Sequence, residues 1–249
     1  MNASDVIIPD WPAPKSVKSL ATTRLGGVSV AGFTSLNLGT HVNDKPEHVA
    51  KNRCLLADYA GLAESQFAWL DQVHGQTIVS AEAGEKNISA DGSTTSDNNL
   101  ACVVMTADCL PVLLCDQAGT KVSAVHAGWR GLAAGILQKA ALNFEDPSQV
   151  MAWLGPAISQ VHFEVGNDVY QAFVEQNTKN HSAFEPSETV DKWMADIYQL
   201  ARIQLNGAGV DKLYGGQYCT YTDEKLFYSY RRDGAASGRM ASMVWLDAG

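Results

Sequence analysis

The sequence predicts an α+β fold, with mixed β-sheets and flanking helices in a single domain over residues 1–249. Two observations carry that expectation. Strand-like and helix-like segments mix without the regular βαβ alternation that a doubly wound parallel sheet requires. Apolar, partly β-branched runs also follow one another at 100–105, 111–115 and 121–125 with no helical segment between them.

In chain order, residues 45–60 read as a helix opened by Pro46, with Val49, Leu55, Leu56 and Tyr59 at roughly helical spacing. Short strands are expected at 67–70 and 77–81, on either side of His74. Residues 89–99, rich in Ser, Thr, Asp, Asn and Gly, read as an exposed loop within the domain. The runs 100–105 and 111–115 read as buried strands, interrupted by the polar Thr106-Ala107-Asp108-Cys109. Another strand follows at 121–125, then a helix at 131–142 with small residues on one face. Residues 165–176 and 192–205 read as helices, the second stopping at Asn206-Gly207. Late strands are expected at 226–230 and 242–246.

Composition narrows the class of function. The chain is 46% hydrophobic and 18% charged, as globular proteins are, and its formal net charge of -9 argues against nucleic acid or an anionic membrane as partner. A local cluster of arginines can still serve a small anionic substrate. The N-terminal residues lack a basic region followed by an apolar run, and no stretch approaches the ~20 apolar residues of a membrane span. Five cysteines at irregular spacing do not form a disulfide framework, so a reduced, cytoplasmic protein is expected.

Three segments hold residues suited to chemistry. In Val125-His126-Ala127-Gly128-Trp129-Arg130-Gly131 a strand enters a glycine-bracketed turn and then a helix, which places His126 at a strand end. Helix N–H groups and Arg130 stand nearby to receive an anion; a strand–helix corner with a packed Trp and a capping Arg accounts for the same residues. Cys109 sits at a break between two buried strands, placed as a reactive or ligating thiol or as a core thiol, whereas Cys102 and Cys115 lie inside the apolar runs. Asp108 beside it suits an orienting group, a proton acceptor or a turn cap. His74, in Gln72-Val73-His74-Gly75-Gln76, stands before a Gly between two strands, solvated or ligating. His74, Cys109 and His126 together suit Zn²⁺ with an open fourth position, although their separations form no short metal motif. Arg24, before Gly26-Gly27, and Arg231 and Arg232, after Tyr228-Ser229-Tyr230, are candidate anion contacts or surface ion-pairing residues. His41, His48, His162 and His181 have no matching surroundings and read as structural or solvated.

The runs TTRLGGVS, SLNLGTHVND, WLDQVHGQT, MTADCLPVLLCD, AVHAGWRGLAAGIL, AWLGPAI, FEVG and SYRRDG followed by GRMAS, in this order, resemble the YfiH family over about residues 22–246. Members have been named laccase-type polyphenol oxidases and, later, purine nucleoside phosphorylases related to the human protein FAMIN. The resemblance implies an α+β fold shared distantly with a bacterial toxin deamidase, and one zinc bound by His74, Cys109 and His126. It implies phosphorolysis of adenosine, inosine and methylthioadenosine with some adenosine deamination, so the partners are purine nucleosides and phosphate. A link of bacterial relatives to editing of peptidoglycan precursors comes with it. The expected roles are catalytic for Cys109, His126 and Asp108 (the last as proton relay) and substrate-binding for Arg24, Arg130 and Arg231. The chain departs from the family pattern at Ala90-Asp91-Gly92-Ser93-Thr94-Thr95 and at Ala31-Gly32, both in expected loops.

Rival readings use the same residues. Cys109 with His126 as base would make a thiol hydrolase or amidase. A single copper is the less favoured metal, and a multicopper cluster needs more imidazoles than the six His provide. A zinc-stabilised binding module would need a fourth protein ligand, and none stands out beside these three.

Overall fold

A computed structural model describes residues 1–83 and 88–248. The two larger of four sheets among the described residues pack face to face, with the helix Pro46–Ala60 on the outer side of one and several helices on the outer side of the other. The first sheet has five strands in the order Val6–Ile7, Val17–Thr22, Met240–Leu246, Ala101–Thr106 and Phe67–Ala68, antiparallel except for the last pair. The second has six, in the order Lys212–Gly215, Val150–Leu154, Leu110–Asp116, Val122–Ala127, Gly92–Thr95 and Ile78–Ser80. Its centre is antiparallel and its outer pairs are parallel, so this is a mixed sheet of the α+β kind.

The unbroken apolar runs follow from this layering. Side chains alternate across a strand, so a strand apolar at every position must be covered on both faces. Cys102 and Val104 face the second sheet, where they pack with Leu113, Cys115, Val122, Ala124 and Trp153. Ala101 and Val103 face the other way, with Met243, onto Leu56 and Ala57 of the helix Pro46–Ala60. On the second sheet, Leu110, Val112, Leu114, Val125 and Ala127 cover the helices Trp129–Ala133, Ile136–Leu142 and Ile197–Gly207. Cys102 and Cys115 are core thiols, and burial pushes both up to about 12.

Several expected elements differ. The segment 89–99 is not an exposed loop: it contains the strand Gly92–Thr95, whose ladder partners lie on both sides. Its Ser93 and Thr95 are buried, and Thr94 Oγ1 donates to the Val122 carbonyl at 2.9 Å. Polar composition signals a loop only where those groups meet water, and here they meet protein. Residues 192–205 form a strand, Lys192–Ala195, and then the helix Ile197–Gly207, because Asp196 caps the helix by accepting from Gln199 N at 3.0 Å. Residues 226–230 are not a strand. Ser229 accepts from Arg232 N at 3.2 Å and starts a helical turn, Tyr230–Asp233. The helix expected at 131–142 is divided at Gly135, which has φ +86°. Residues 165–176 begin as a strand edge, Glu164–Gly166, before the helix Asn167–Val174. No helix among the described residues is long and apolar enough to cross a membrane.

Candidate metal centre

One end of the six-stranded sheet gathers the functional residues. His126 pairs with Pro111 and Ala127 with Leu110, so Cys109, just before the strand Leu110–Asp116, lies beside the end of the strand that carries His126. His126 shares the strand face of Val122 and Ala124, the face turned towards the other sheet. His74 arrives from the turn between Leu70–Asp71 and Ile78–Ser80. One ligating atom from each of His74, Cys109 and His126 lies within 4.8 Å of the others, the one such cluster found among the described residues. The two imidazoles meet edge to face, ring centres 4.7 Å apart.

Two turns bear strained backbone to achieve this. His74 has φ +59° and Asp108 φ +86°, in the left-handed region that His and Asp tolerate better than most side chains. Close packing completes the site. A Cβ on Gly128 would stand 3.2 Å from both Cys109 Sγ and His74 Cδ2, and one on Gly131 would meet the Gly75 carbonyl oxygen at 2.6 Å. The glycines of HAGWRG therefore let the helix start close against the trio.

Asp91 holds the site together, and the sequence reading missed it. Its fully buried carboxylate contacts His126 Nδ1 at 2.8 Å and accepts from the backbone N–H groups of His74 at 2.9 Å and Gly75 at 2.6 Å. It thus fixes His126 with Nε2 towards Cys109, and it fixes the turn that carries His74. The available signal was an acidic residue inside a polar stretch just before a strand, which the loop assignment obscured. Burial raises the carboxyl, but the hydrogen bonds from His126, Gly75 and His74 outweigh it and hold Asp91 below the usual carboxylate range.

Cys109 and His126 form a charge-coupled pair. Burial opposes a thiolate, yet His126 and then His74 stabilise it, and Cys109 is lowered to about 6. Burial also opposes an imidazolium at His126, while Cys109 and Asp91 more than compensate and raise it. A thiolate and two imidazoles, one anchored by a carboxylate, fit a borderline-soft divalent metal, and the carboxylate–histidine pairing is the usual support of such a ligand. His74 is exposed, and the cluster counts three protein ligands among the described residues, the number that a catalytic rather than a structural zinc site uses. His74, Cys109 and His126 would hold the ion.

The trio opens into a cavity of about 440 Å³, within the range that small-molecule sites use. Its walls include Phe163, Tyr230, Arg231 and Arg239, together with Gln72 and His41. His41 was expected to be structural or solvated; it faces this cavity. Of the arginines expected to bind substrate, Arg231 lines the cavity and two stand elsewhere. Arg24 lines a different hollow, donating to the carbonyls of Thr34 and Glu224, and Arg130 is exposed and stacked on Trp129. Asp108 borders the cavity, but its carboxylate accepts from Thr220 Oγ1, Ser229 Oγ and Arg231 N. Met105 also borders it, with its sulfur 3.8 Å from Arg53 Nη2.

The layering and the trio define an α+β protein with one His–Cys–His cavity competent for a metal ion. The chain belongs to the YfiH family, whose family model, described as multi-copper polyphenol oxidoreductase laccase, matches residues 18–247. It is 50% identical to the purine nucleoside phosphorylase YfiH of Shigella flexneri, over 98% of this chain and 99% of that protein. It is equally 50% identical to the purine nucleoside phosphorylase PA4543 of Pseudomonas aeruginosa, over 96% and 98% respectively. Among solved structures it is similar to the Neisseria meningitidis protein NMB0706, with TM-score 0.94 and 50% identity over 98% of this chain and 100% of that one. YlmD from Geobacillus stearothermophilus aligns with TM-score 0.89 at 26% identity over 99% and 98%.

Proposed function

We propose that the chain is a zinc-dependent purine nucleoside phosphorylase. It takes adenosine, inosine or methylthioadenosine with phosphate and yields the free base and the ribose 1-phosphate, with adenosine deamination as a side activity. The observation that carries this reading is the shared cavity, in which the His–Cys–His trio lies in the same hollow as arginine and aromatic side chains. The relatives of half-identical sequence that carry this name support it.

The reaction makes definite demands. A phosphate oxygen bonds to C1′ of the ribose while the bond from C1′ to the purine nitrogen breaks. Its electron pair leaves with the base, and the proton of hydrogenphosphate ends on the base. The cavity must therefore hold a dianion next to a planar, uncharged ring system. Arg231 supplies positive charge at the wall, and Phe163 and Tyr230 supply flat apolar surface for the purine. Asp91 keeps His126 oriented, so that this imidazole need not reorganise as charge develops. Zinc held by His74, Cys109 and His126 would supply Lewis acidity to the cavity. Copper is the weaker alternative. The axial methionine of a blue-copper site has one candidate in the cavity wall, Met105, and its sulfur faces Arg53.

One observation favours a second reading. Asp91, His126 and Cys109 stand in the orienter–base–nucleophile order of a thiol hydrolase, which would act on an amide such as that of a peptidoglycan precursor. Product analysis separates the two. Zinc-loaded protein given inosine or adenosine is expected to release hypoxanthine or adenine only when phosphate is present, with ribose 1-phosphate in equal amount. Base release independent of phosphate, or no turnover of either nucleoside, would overturn the phosphorylase reading. Amide cleavage that survives a chelator would support the thiol hydrolase instead.

A further inference from the structure

The chain is acidic overall, yet this cavity is lined by two arginines and one carboxylate, and that carboxylate is committed elsewhere. Arg231 uses Nη1 to reach the carbonyls of His162 at 3.3 Å and Glu164 at 3.1 Å, and its guanidinium stands 5.6 Å from the Phe163 ring centre. Arg239 uses Nη1 for the carbonyls of Ser237 at 2.8 Å and Gly238 at 3.0 Å, and its guanidinium stands 5.8 Å from the Tyr230 ring centre. In both, Nε and Nη2 have no protein acceptor among the described residues. That edge is the one a guanidinium offers to two oxygens of a single oxyanion. Arg130 likewise has no protein acceptor among the described residues, but it stacks on Trp129 outside this cavity, and three other arginines differ in their bonding. Arg232 is fully engaged through Nε, Nη1 and Nη2 by Asp233 and by the carbonyls of Thr220, Tyr221 and Phe227. Arg53 spends Nε and Nη2 on the Leu38 carbonyl, and Arg24 spends Nε and Nη1 on Thr34 and Glu224.

The committed carboxylate explains how Arg231 keeps its place. Asp108 Oδ1 accepts from Thr220 Oγ1 at 2.6 Å, and Oδ2 accepts from Ser229 Oγ at 3.1 Å and from the Arg231 backbone N–H at 2.6 Å. Thr220 and Ser229 are wholly buried, so these bonds are shielded from water. Ser229 passes the restraint on, because its oxygen accepts from Arg232 N while its hydrogen goes to Asp108. The Asp108 carbonyl also accepts from Ile158 N at 3.0 Å, tying in a second cavity wall. The residue beside Cys109 thus fixes the backbone from which Arg231 enters the cavity wall.

We propose that Arg231 and Arg239 form an oxyanion subsite that takes phosphate, and that Asp108 is the positioning residue holding Arg231 in it. The subsite rests on the phosphorylase reading for its occupant, and its geometry stands on the arginines alone. Asp108 accordingly acts through Arg231 rather than carrying protons to substrate.

The test compares Arg231→Met, Arg239→Met and Asp108→Asn with the controls Arg24→Met and Arg130→Met in zinc-loaded protein. Two quantities are read: the KM for phosphate with inosine as co-substrate, and direct calorimetric binding of inorganic phosphate. Losing either cavity arginine is expected to raise the phosphate KM about 10–100-fold, the worth of a charge-assisted hydrogen bond, with the inosine KM within about twofold of wild type. The controls keep the wild-type phosphate KM. Asp108→Asn raises it about tenfold, and adds little on top of Arg231→Met, since both act through one group. Should Asp108→Asn fail to fold, Thr220→Val removes one of the three bonds and shows a smaller rise of the same kind. A wild-type phosphate KM in Arg239→Met would overturn the subsite. An Asp108→Asn effect that persists undiminished in the Arg231→Met background would overturn the positioning role. Absence of nucleoside turnover in wild type, with phosphate binding retained there and lost in Arg239→Met, would sink the phosphorylase reading and leave the subsite standing.

Discussion

A Cys109→Ala protein is expected to fold, to lose zinc on dialysis, and to retain no more than about one-thousandth of the wild-type phosphorolysis rate. The effect is large because Cys109 supplies the sole anionic ligand of the trio. Without it a divalent ion is left with two neutral imidazoles on the surface of an open cavity. Several kcal/mol of charge stabilisation by the ion correspond to about a thousandfold in rate. The fold should survive, because the side chain stands at a turn and is half-buried, outside the apolar clusters between the layers. Zinc content by atomic absorption together with the rate of base release checks both halves. Full zinc with full activity in this variant would remove the trio from the mechanism.

Replacing Asp91 with Asn should have the next largest effect, and through two routes. Metal affinity is expected to fall about 10–100-fold, the usual consequence of losing the carboxylate behind a ligating histidine. An amide also cannot accept from His126 Nδ1, His74 N and Gly75 N with one oxygen, so a buried donor is left unpaired at a cost of about 1–3 kcal/mol in stability. The pH dependence has a definite sign. The Asp91 carboxyl is held below its ordinary value, so its stabilisation is complete above about pH 4, the unfolded value, and is lost as acid protonates it below that. Denaturation of metal-free Asp91→Asn should therefore be less sensitive to acid than that of metal-free wild type. Chelator competition for zinc and urea unfolding at pH 7 and pH 3 measure the two routes separately. Wild-type zinc affinity in Asp91→Asn would show that His126 needs no orienting carboxylate.

Much of the fold was legible because burial leaves a plain pattern. The central strands are apolar at successive positions, and only a strand covered on both faces reads that way. The helix Pro46–Ala60 declared itself by Pro at its start and by Val49, Leu55, Leu56 and Tyr59 at roughly helical spacing. What misled was polarity that is satisfied inside the protein. Gly92–Thr95 carries Ser and Thr into a buried strand, and the same misreading hid Asp91, the residue that orients the site. Lys192–Ala195 and the turn at Tyr230–Asp233 were missed because a capping Asp196 and Ser229, single residues, decide where each helix begins.

The site followed a similar division. His74, Cys109 and His126 stood out as polar residues at the ends of apolar runs, and sheet register brings two of them side by side. The arginines could not be ranked from sequence, since each lies next to a glycine-rich or aromatic segment. Arg239 was not among the sequence candidates; its place in the cavity wall, and its Nε and Nη2 unengaged among the described residues, set it apart from Arg24, which spends Nε and Nη1 on its own scaffold. Asp108 was conspicuous beside Cys109, but the three donors that occupy it come from residues more than a hundred positions away.

Zinc reconstitution tests the central claim most directly. Protein stripped with a chelator and dialysed is titrated with zinc while phosphate-dependent release of hypoxanthine from inosine is followed. Metal-dependent phosphorolysis at the trio predicts negligible activity at the start, a linear rise, and a plateau at one zinc per chain. Full activity in the stripped protein, unchanged by added zinc, would contradict it.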